Sequence, residues 1–149
     1  MLTIRELRTD EEIEAAFPLM RVLRERLRRE TFRAEVRRQQ IEGYELIGAF
    51  EDGRLVGLAG VRRTHTLARG EHLFVDDLIT DEAVRGAGHG RRLMRWLARR
   101  AAAEGIPRVH LDARITAKGF YERIGFTFHT SVPCWADVGA LAGDSEDER

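Results

Sequence analysis

The run Leu73-Phe74-Val75-Asp76-Asp77-Leu78-Ile79-Thr80, followed by Arg85-Gly86-Ala87-Gly88-His89-Gly90, decides how this chain folds. The first run is rich in apolar and β-branched residues and reads as a strand. From Arg91 onward Leu93, Met94, Leu97 and Ala101 recur at helical spacing, and Gly105 marks the helix end. Between strand and helix, three glycines at alternate positions leave backbone N–H groups uncovered. They also open backbone conformations closed to other residues. The following helix turns its N-terminus, with unpaired N–H groups and partial positive charge, onto the same spot. Strand, glycine loop and helix in this order make an anion site, and the anion such a loop suits is a phosphate.

Two phosphate loops are excluded by spacing. A dinucleotide loop, G-x-G-x-x-G, counted from Gly86 requires glycine where Arg91 stands. A P-loop requires Lys after its last glycine, and none follows here. The remaining pattern, R-G-x-G-x-G after a strand, resembles the acetyl-CoA pyrophosphate loop of the GNAT superfamily of N-acetyltransferases. That loop has Arg or Gln, then glycines three and five places on, as in Arg85, Gly88 and Gly90. Phe120-Tyr121-Glu122-Arg123-Ile124-Gly125-Phe126 resembles the family's F-Y-x-x-x-G-F segment, and Ala117, four places before the tyrosine, fits as well. One helix and one strand fit between the motifs, as that fold requires. The resemblance spans roughly residues 2–135. Residues 74–80 with Gly43-Tyr44 look like a bacterial branch of the superfamily, so the resemblance names a reaction and no substrate.

The resemblance implies an α/β fold: a central mixed sheet of six or seven strands, helices on both faces, and fourth and fifth strands that splay apart. The pantetheine arm of acetyl-CoA enters that gap beside Leu78, Ile79 and Thr80. Arg85, Gly86, Ala87, Gly88, His89 and Gly90 hold the diphosphate. Tyr121 occupies the general-acid position; its alternative is a core aromatic between Phe120 and Phe126. Asp76-Asp77-Leu78 resembles the Glu-Asp-Phe or Glu-Asp-Leu stretch of polyamine-type acetyltransferases, whose first carboxylate works on the amine through water. Asp76 is one methylene shorter than that Glu. Asp76 is therefore read as the base, or else as a group that binds a cation or pairs with an Arg. The superfamily also places bases where His72 and Glu71 stand. Many relatives carry Asn seven residues before the tyrosine; here it is Arg114, which either contacts the cofactor or lies on the surface.

The residues meet the chemistry of acetyl transfer independently. A thiolate leaving group has a reference pKa of about 8.5 and a tyrosine about 10, so an adjacent Tyr can return the proton. Strict alternation puts Asp76 on the face of Leu78 and Thr80, and Asp77 on the other. Asp77 and Glu71 are candidate substrate-binding groups, and with Asp76 they favour a small cationic amine. The histidines show no metal-ligand spacing, so no metal is expected.

The chain has 149 residues, enough for one domain with a real core. That domain is read over 1–136, with an acidic tail at 137–149 expected to be disordered. Net charge is zero, so no global field draws it to nucleic acid or membrane. No apolar run approaches a membrane span, and the first residues do not read as a signal peptide. The single cysteine, Cys134, fits a reducing cytoplasm. Lys118 is the only lysine, read as a coding bias.

Leu2 and Ile4 alternate with polar residues as a first strand. Thr9 and Glu12 form a capping box opening a helix, which Pro18 is expected to kink or end. A second, Arg-rich helix is expected from Val22 to about Ile41. Eight arginines fall between Arg21 and Arg38, interleaved with Glu25, Glu30 and Glu35, which reads as a solvated, ion-paired face. Strands at 44–51 and 54–62 join at Asp52-Gly53, a hairpin signal. Further strands are expected at 72–80 and 109–112, and one or two more within 126–135. Residues 116–124 read as a helix ended by Gly125. The walls of the acceptor pocket are expected from the first two helices and residues 63–70.

The leading reading is thus an acetyl-CoA-dependent N-acetyltransferase acting on a small-molecule amine, with a homodimer left open as its assembly. The alternatives are an acetyl-CoA-binding sensor without catalysis, and an acetyltransferase acting on a protein or RNA-linked amine.

Overall fold

In the computed structural model, which describes residues 1–143, five strands form one sheet in the order β1-β2-β3-β4-β5. They are β1 (Leu2–Glu6), β2 (Tyr44–Glu51), β3 (Arg54–Thr66), β4 (Gly70–Thr80) and β5 (Val109–Leu111). The first four run antiparallel to their neighbours, and β4 and β5 are parallel. Asp52 and Gly53 both have positive φ, +50° and +78°, as a two-residue hairpin of primed type requires.

Adjacent residues of β2, Leu46 and Ile47, are both fully buried, as are Leu58 and Ala59 of β3. The central strands are therefore covered on both faces. Helices α1 (Asp10–Leu23) and α2 (Arg29–Ile41) pack on the face carrying Tyr44, Leu46 and Leu58, with the rings of Phe17 and Phe32 5.3 Å apart. Helix α3 (His89–Ala103) lies on the other face through Leu93, which approaches Gly57 beside Ala49. Among the described residues no helix is long and apolar enough to cross a membrane.

The capping box is present: Thr9 accepts from the Glu12 amide at 3.1 Å, and the Glu12 carboxylate accepts from the Thr9 amide at 3.0 Å. Pro18 neither ends nor breaks α1, which continues to Leu23. A helix-interior proline costs ~3 kcal/mol. Here Ile13, Ala16, Phe17 and Met20, buried before and after it, hold both turns against the sheet. The second helix starts later than expected, at Arg29, because the chain turns a corner at 24–28. Arg33 pairs with Glu14 and Arg37 with Asp10, so part of the Arg-rich face is spent on the acids of α1.

The chain falls into two compact units, one ending at Leu111 and one beginning at Asp112. The second holds a 3₁₀ turn (Ile115–Ala117), α4 (Lys118–Arg123) and α5 (Val138–Ala142). The strands expected within 126–135 are absent, so among the described residues the sheet has five members and not six or seven. Strand propensity is realised only where a neighbouring strand supplies pairing, and Pro133 interrupts the run. Part of the expected tail is helical, as α5; residues 144–149 of that tail lie outside the described residues.

Candidate active site

Strand β4 pairs with β5 only at Leu73, Phe74 and Val75. Beyond Val75 it continues for five residues, Asp76 to Thr80, along β3 alone. This is the splay between fourth and fifth strands: one edge of Asp76, Asp77, Leu78, Ile79 and Thr80 has no β5 partner. An extended ligand can hydrogen-bond such an edge as an added strand.

The register changes where the splay begins. Gly60 pairs with Asp77 but Val61 pairs with Val75, so Asp76 is an extra residue, a β-bulge. The bulge interrupts the alternation expected from sequence. Arg62 faces Phe74 across the strands and grips Asp76 with two hydrogen bonds, 2.6 and 2.8 Å. Asp77 accepts from the Tyr44 hydroxyl at 2.8 Å and from Arg24 Nε at 2.8 Å. Tyr44 and Arg62 are themselves directly paired and so share a face. Both carboxylates therefore lie on the α1–α2 face, not on opposite faces. Ile79 packs against the core of that same face. By alternation Leu78 and Thr80 lie on the other, so Asp76 does not share their face as expected.

Arg24 also donates to the Asp76 carbonyl at 2.6 Å, tying the corner after α1 to the bulge. Tyr44 reaches Asp77 by lying across Gly60, where a Cβ would overlap its hydroxyl and ring. Burial, then the adjacent Asp77 carboxylate, pushes the Tyr44 phenol well above its usual range. Tyr44 is thus a fixed donor. The bidentate hydrogen bond to Asp76 likewise raises Arg62.

The glycine loop follows. Gly86 and Gly88 adopt φ of +92° and +79° with open space around them, so it is conformation that calls for glycine there. Gly88 is the N-cap of α3 and offers no side-chain cap. The first helical bond runs from the Arg92 amide to the Gly88 carbonyl, 3.0 Å, which leaves the preceding amides outside the helical ladder. The first turn of α3 holds no acid, and Arg91 and Arg92 stand there instead. Cations at a helix N-terminus are unfavourable alone and become favourable around a bound anion. Arg85 is exposed at the loop's start beside Glu82. His89 points inward: its side chain is buried and its Nε2 lies 2.7 Å from Glu51. Its contribution to the loop is therefore its backbone, and its ring pins the first turn to β2.

A model of the acetyltransferase (GNAT) family matches residues 4–126 of this chain. The chain belongs to the GNAT family of acetyltransferases. It is 29% identical over 135 residues to an uncharacterised N-acetyltransferase of Bacillus subtilis, covering 87% of this chain and 95% of that one. The crystal structure of a Trypanosoma brucei acetyltransferase superposes with a TM-score of 0.76 at 25% identity, over 93% of this chain and all of that one. An aminoglycoside N-acetyltransferase shares the fold, with a TM-score of 0.80 at 16% identity over 93% of this chain and 95% of that one. The chain is thus an acyltransferase.

Within this GNAT enzyme, Asp76, Asp77, Leu78, Ile79 and Thr80 line the open edge and the loop from Arg85 to Gly90 follows in the same unit. Glu71 does not join the two aspartates. It is exposed and three residues before Phe74, an odd separation that puts it on the opposite face of β4. His72 is buried, with Nδ1 2.8 Å from the Gly70 carbonyl and its ring 4.8 Å from that of His110. Tyr121 belongs to the second unit, buried, with Phe120 and Phe126 edge-on at 5.1 and 5.4 Å. Burial pushes its phenol upward, so it stays protonated at neutral pH. Arg114 precedes the 3₁₀ turn. Sequence reasoning missed Arg24, Arg62 and Gly60; the available signal was Gly60 within an apolar strand, which marks close approach or a bulge.

The Tyr44 crossing has a measurable consequence. Gly60→Ala will destabilise the protein by about 1–3 kcal/mol through overpacking. In a Tyr44→Ala background the same change will cost little, giving a coupling of about 1 kcal/mol or more in urea unfolding.

Proposed function

We propose that this enzyme transfers an acetyl group from acetyl-CoA directly to a primary amine, with both substrates bound at once. The observation that carries the reading is the uncapped, acid-free N-terminus of α3 at a glycine loop, immediately after a strand with an open edge. The aminoglycoside N-acetyltransferase of the same fold was solved with CoA, which supports the assignment. The residues fit the cofactor: the loop amides and Arg85 to the diphosphate, and the backbone of Leu78, Ile79 and Thr80 to the pantetheine arm.

Acetyl-CoA supplies the acyl group and departs as the thiol. Residues on the open edge of β4 orient the thioester, and a backbone N–H there polarises its carbonyl as charge develops. Holding both reactants in attack geometry supplies about 7–11 kcal/mol of the barrier. The amine nitrogen forms the new bond to the acyl carbon as the carbon–sulfur bond breaks. Asp76, its carboxylate oriented by Arg62, takes up the amine proton through a water. Tyr121 gives its hydroxyl proton to the sulfur. A phenol held protonated by burial suits that task. The expected preference for a simple cation loses its basis, because Asp76 and Asp77 are each matched by a guanidinium and Glu71 lies elsewhere.

Three variants and the wild-type pH profile test this. Gly88→Asp places a negative side chain at the N-terminus of α3, and calorimetry should show CoA binding lost while the protein stays folded. Tyr121→Phe should lower kcat by about 10²–10⁴-fold with CoA affinity kept. The wild-type rate should not fall from loss of that proton below about pH 10. Asp76→Asn should leave CoA binding intact and move the rise of kcat/KM to higher pH; a wild-type profile would remove Asp76 from the mechanism.

A further inference from the structure

A cavity of about 400 Å³ opens at the corner between α1 and α2, lined by Phe17, Arg21, Leu27, Arg28, Arg29 and Glu30. Three guanidinium groups face one carboxylate. Arg21 makes no hydrogen bond or ion pair among the described residues. Arg28 comes only within 4.0 Å of Glu30, and both are well exposed. Arg29 spreads over the Phe17 ring, 4.9 Å from its centre, which leaves its edge for hydrogen bonding. The arginines further along α2 differ: Arg33 and Arg37 are taken by Asp10 and Glu14. Among the residues that line the cavity, positive charge is therefore left unbalanced. Helix α2 also begins here with Arg28 as an N-cap that supplies no side-chain acceptor.

The corner is held to the active strand. Arg24, between Arg21 and Leu27 in the chain, bonds the Asp77 carboxylate and the Asp76 carbonyl. We propose that the cavity is a subsite for a compact anionic group, a carboxylate or a phosphate, carried by the amine substrate itself. The proposal rests on the acetyl-transfer reading. A zwitterion would set its ammonium group toward Asp76 and its anion among Arg21, Arg28 and Arg29. A simple amine would find both aspartates matched and the corner unfilled. Phe17 and Leu27 give the cavity an apolar wall suited to the short carbon chain of such a molecule.

The test is a paired amine panel with acetyl-CoA, following thiol release. Each amino acid is set against its decarboxylated amine, and each amino-sugar phosphate against the unphosphorylated sugar, so the two arms separate carboxylate from phosphate. In the wild type, kcat/KM should favour the anionic member by about tenfold or more, the worth of one charge-assisted hydrogen bond. In Arg21→Ala/Arg28→Ala that preference should collapse through KM. Arg21→Lys/Arg28→Lys should restore part of it, because the charge returns without the fork. Inorganic phosphate, with CoA saturating, should compete with the anionic amine. Equal use of both members by the wild type, or a preference unchanged in the alanine variant, overturns the subsite while leaving acetyl transfer standing. Competition by an RNA oligonucleotide and not by phosphate overturns it too. If no amine is acetylated, the acetyl-transfer reading fails, and calorimetry of the anionic amines with CoA present decides the subsite. Binding weakened about tenfold in the alanine variant supports it, and absent or unchanged binding overturns it.

Discussion

One extra residue in β4 organises this molecule. Asp76 is inserted into the ladder between Gly60–Asp77 and Val61–Val75, and three side chains hold it there. Arg62 grips its carboxylate, Arg24 its carbonyl, and Tyr44 with Arg24 its neighbour Asp77. A bulge is a local loss of pairing, and the charge-assisted bonds offset that loss. Two consecutive carboxylates come to one face, which an unbroken strand forbids. The corner after α1 is tied to the strand, and pairing with β5 stops at the residue before the bulge. The open edge and the charged face of β4 thus begin at the same place.

Charge at the site is arranged in two ways. Around the bulge each carboxylate has its guanidinium, so the ensemble is nearly neutral. At the start of α3 the balance is left incomplete, with Arg91 and Arg92 beside the partial positive charge of the helix end. Matched charges there would make a more stable helix and a poorer anion site. The buried His89 ring, 2.7 Å from Glu51, anchors that first turn to β2.

Much of this was legible from short-range pattern. The Thr9–Glu12 capping box, the Asp52-Gly53 hairpin and the glycine loop are each set by a few adjacent residues, and each formed where the residues placed it. Pro18 misled because its local penalty is outweighed by burial on either side. Residues 126–135 misled in the opposite way, since β-branched and aromatic residues form a strand only beside a partner. Glu71, Asp76 and Asp77 lie close in sequence, yet the strand's alternation and the bulge divide them between faces.

The sequence by itself determined the order of the helices and strands as far as β5, the family and the position of the glycine loop. These depend on backbone chemistry local to each segment: glycine at positive φ, caps, and apolar period. The tertiary structure alone decided which side chains meet. Arg24 and Asp77 are bonded although 53 residues apart, and Tyr44 and Asp77 although 33 apart. Such pairings follow from register, and register shifts by one residue wherever a bulge enters. No periodicity records that shift, because the bulge is fixed by bonds from other strands and a helix corner.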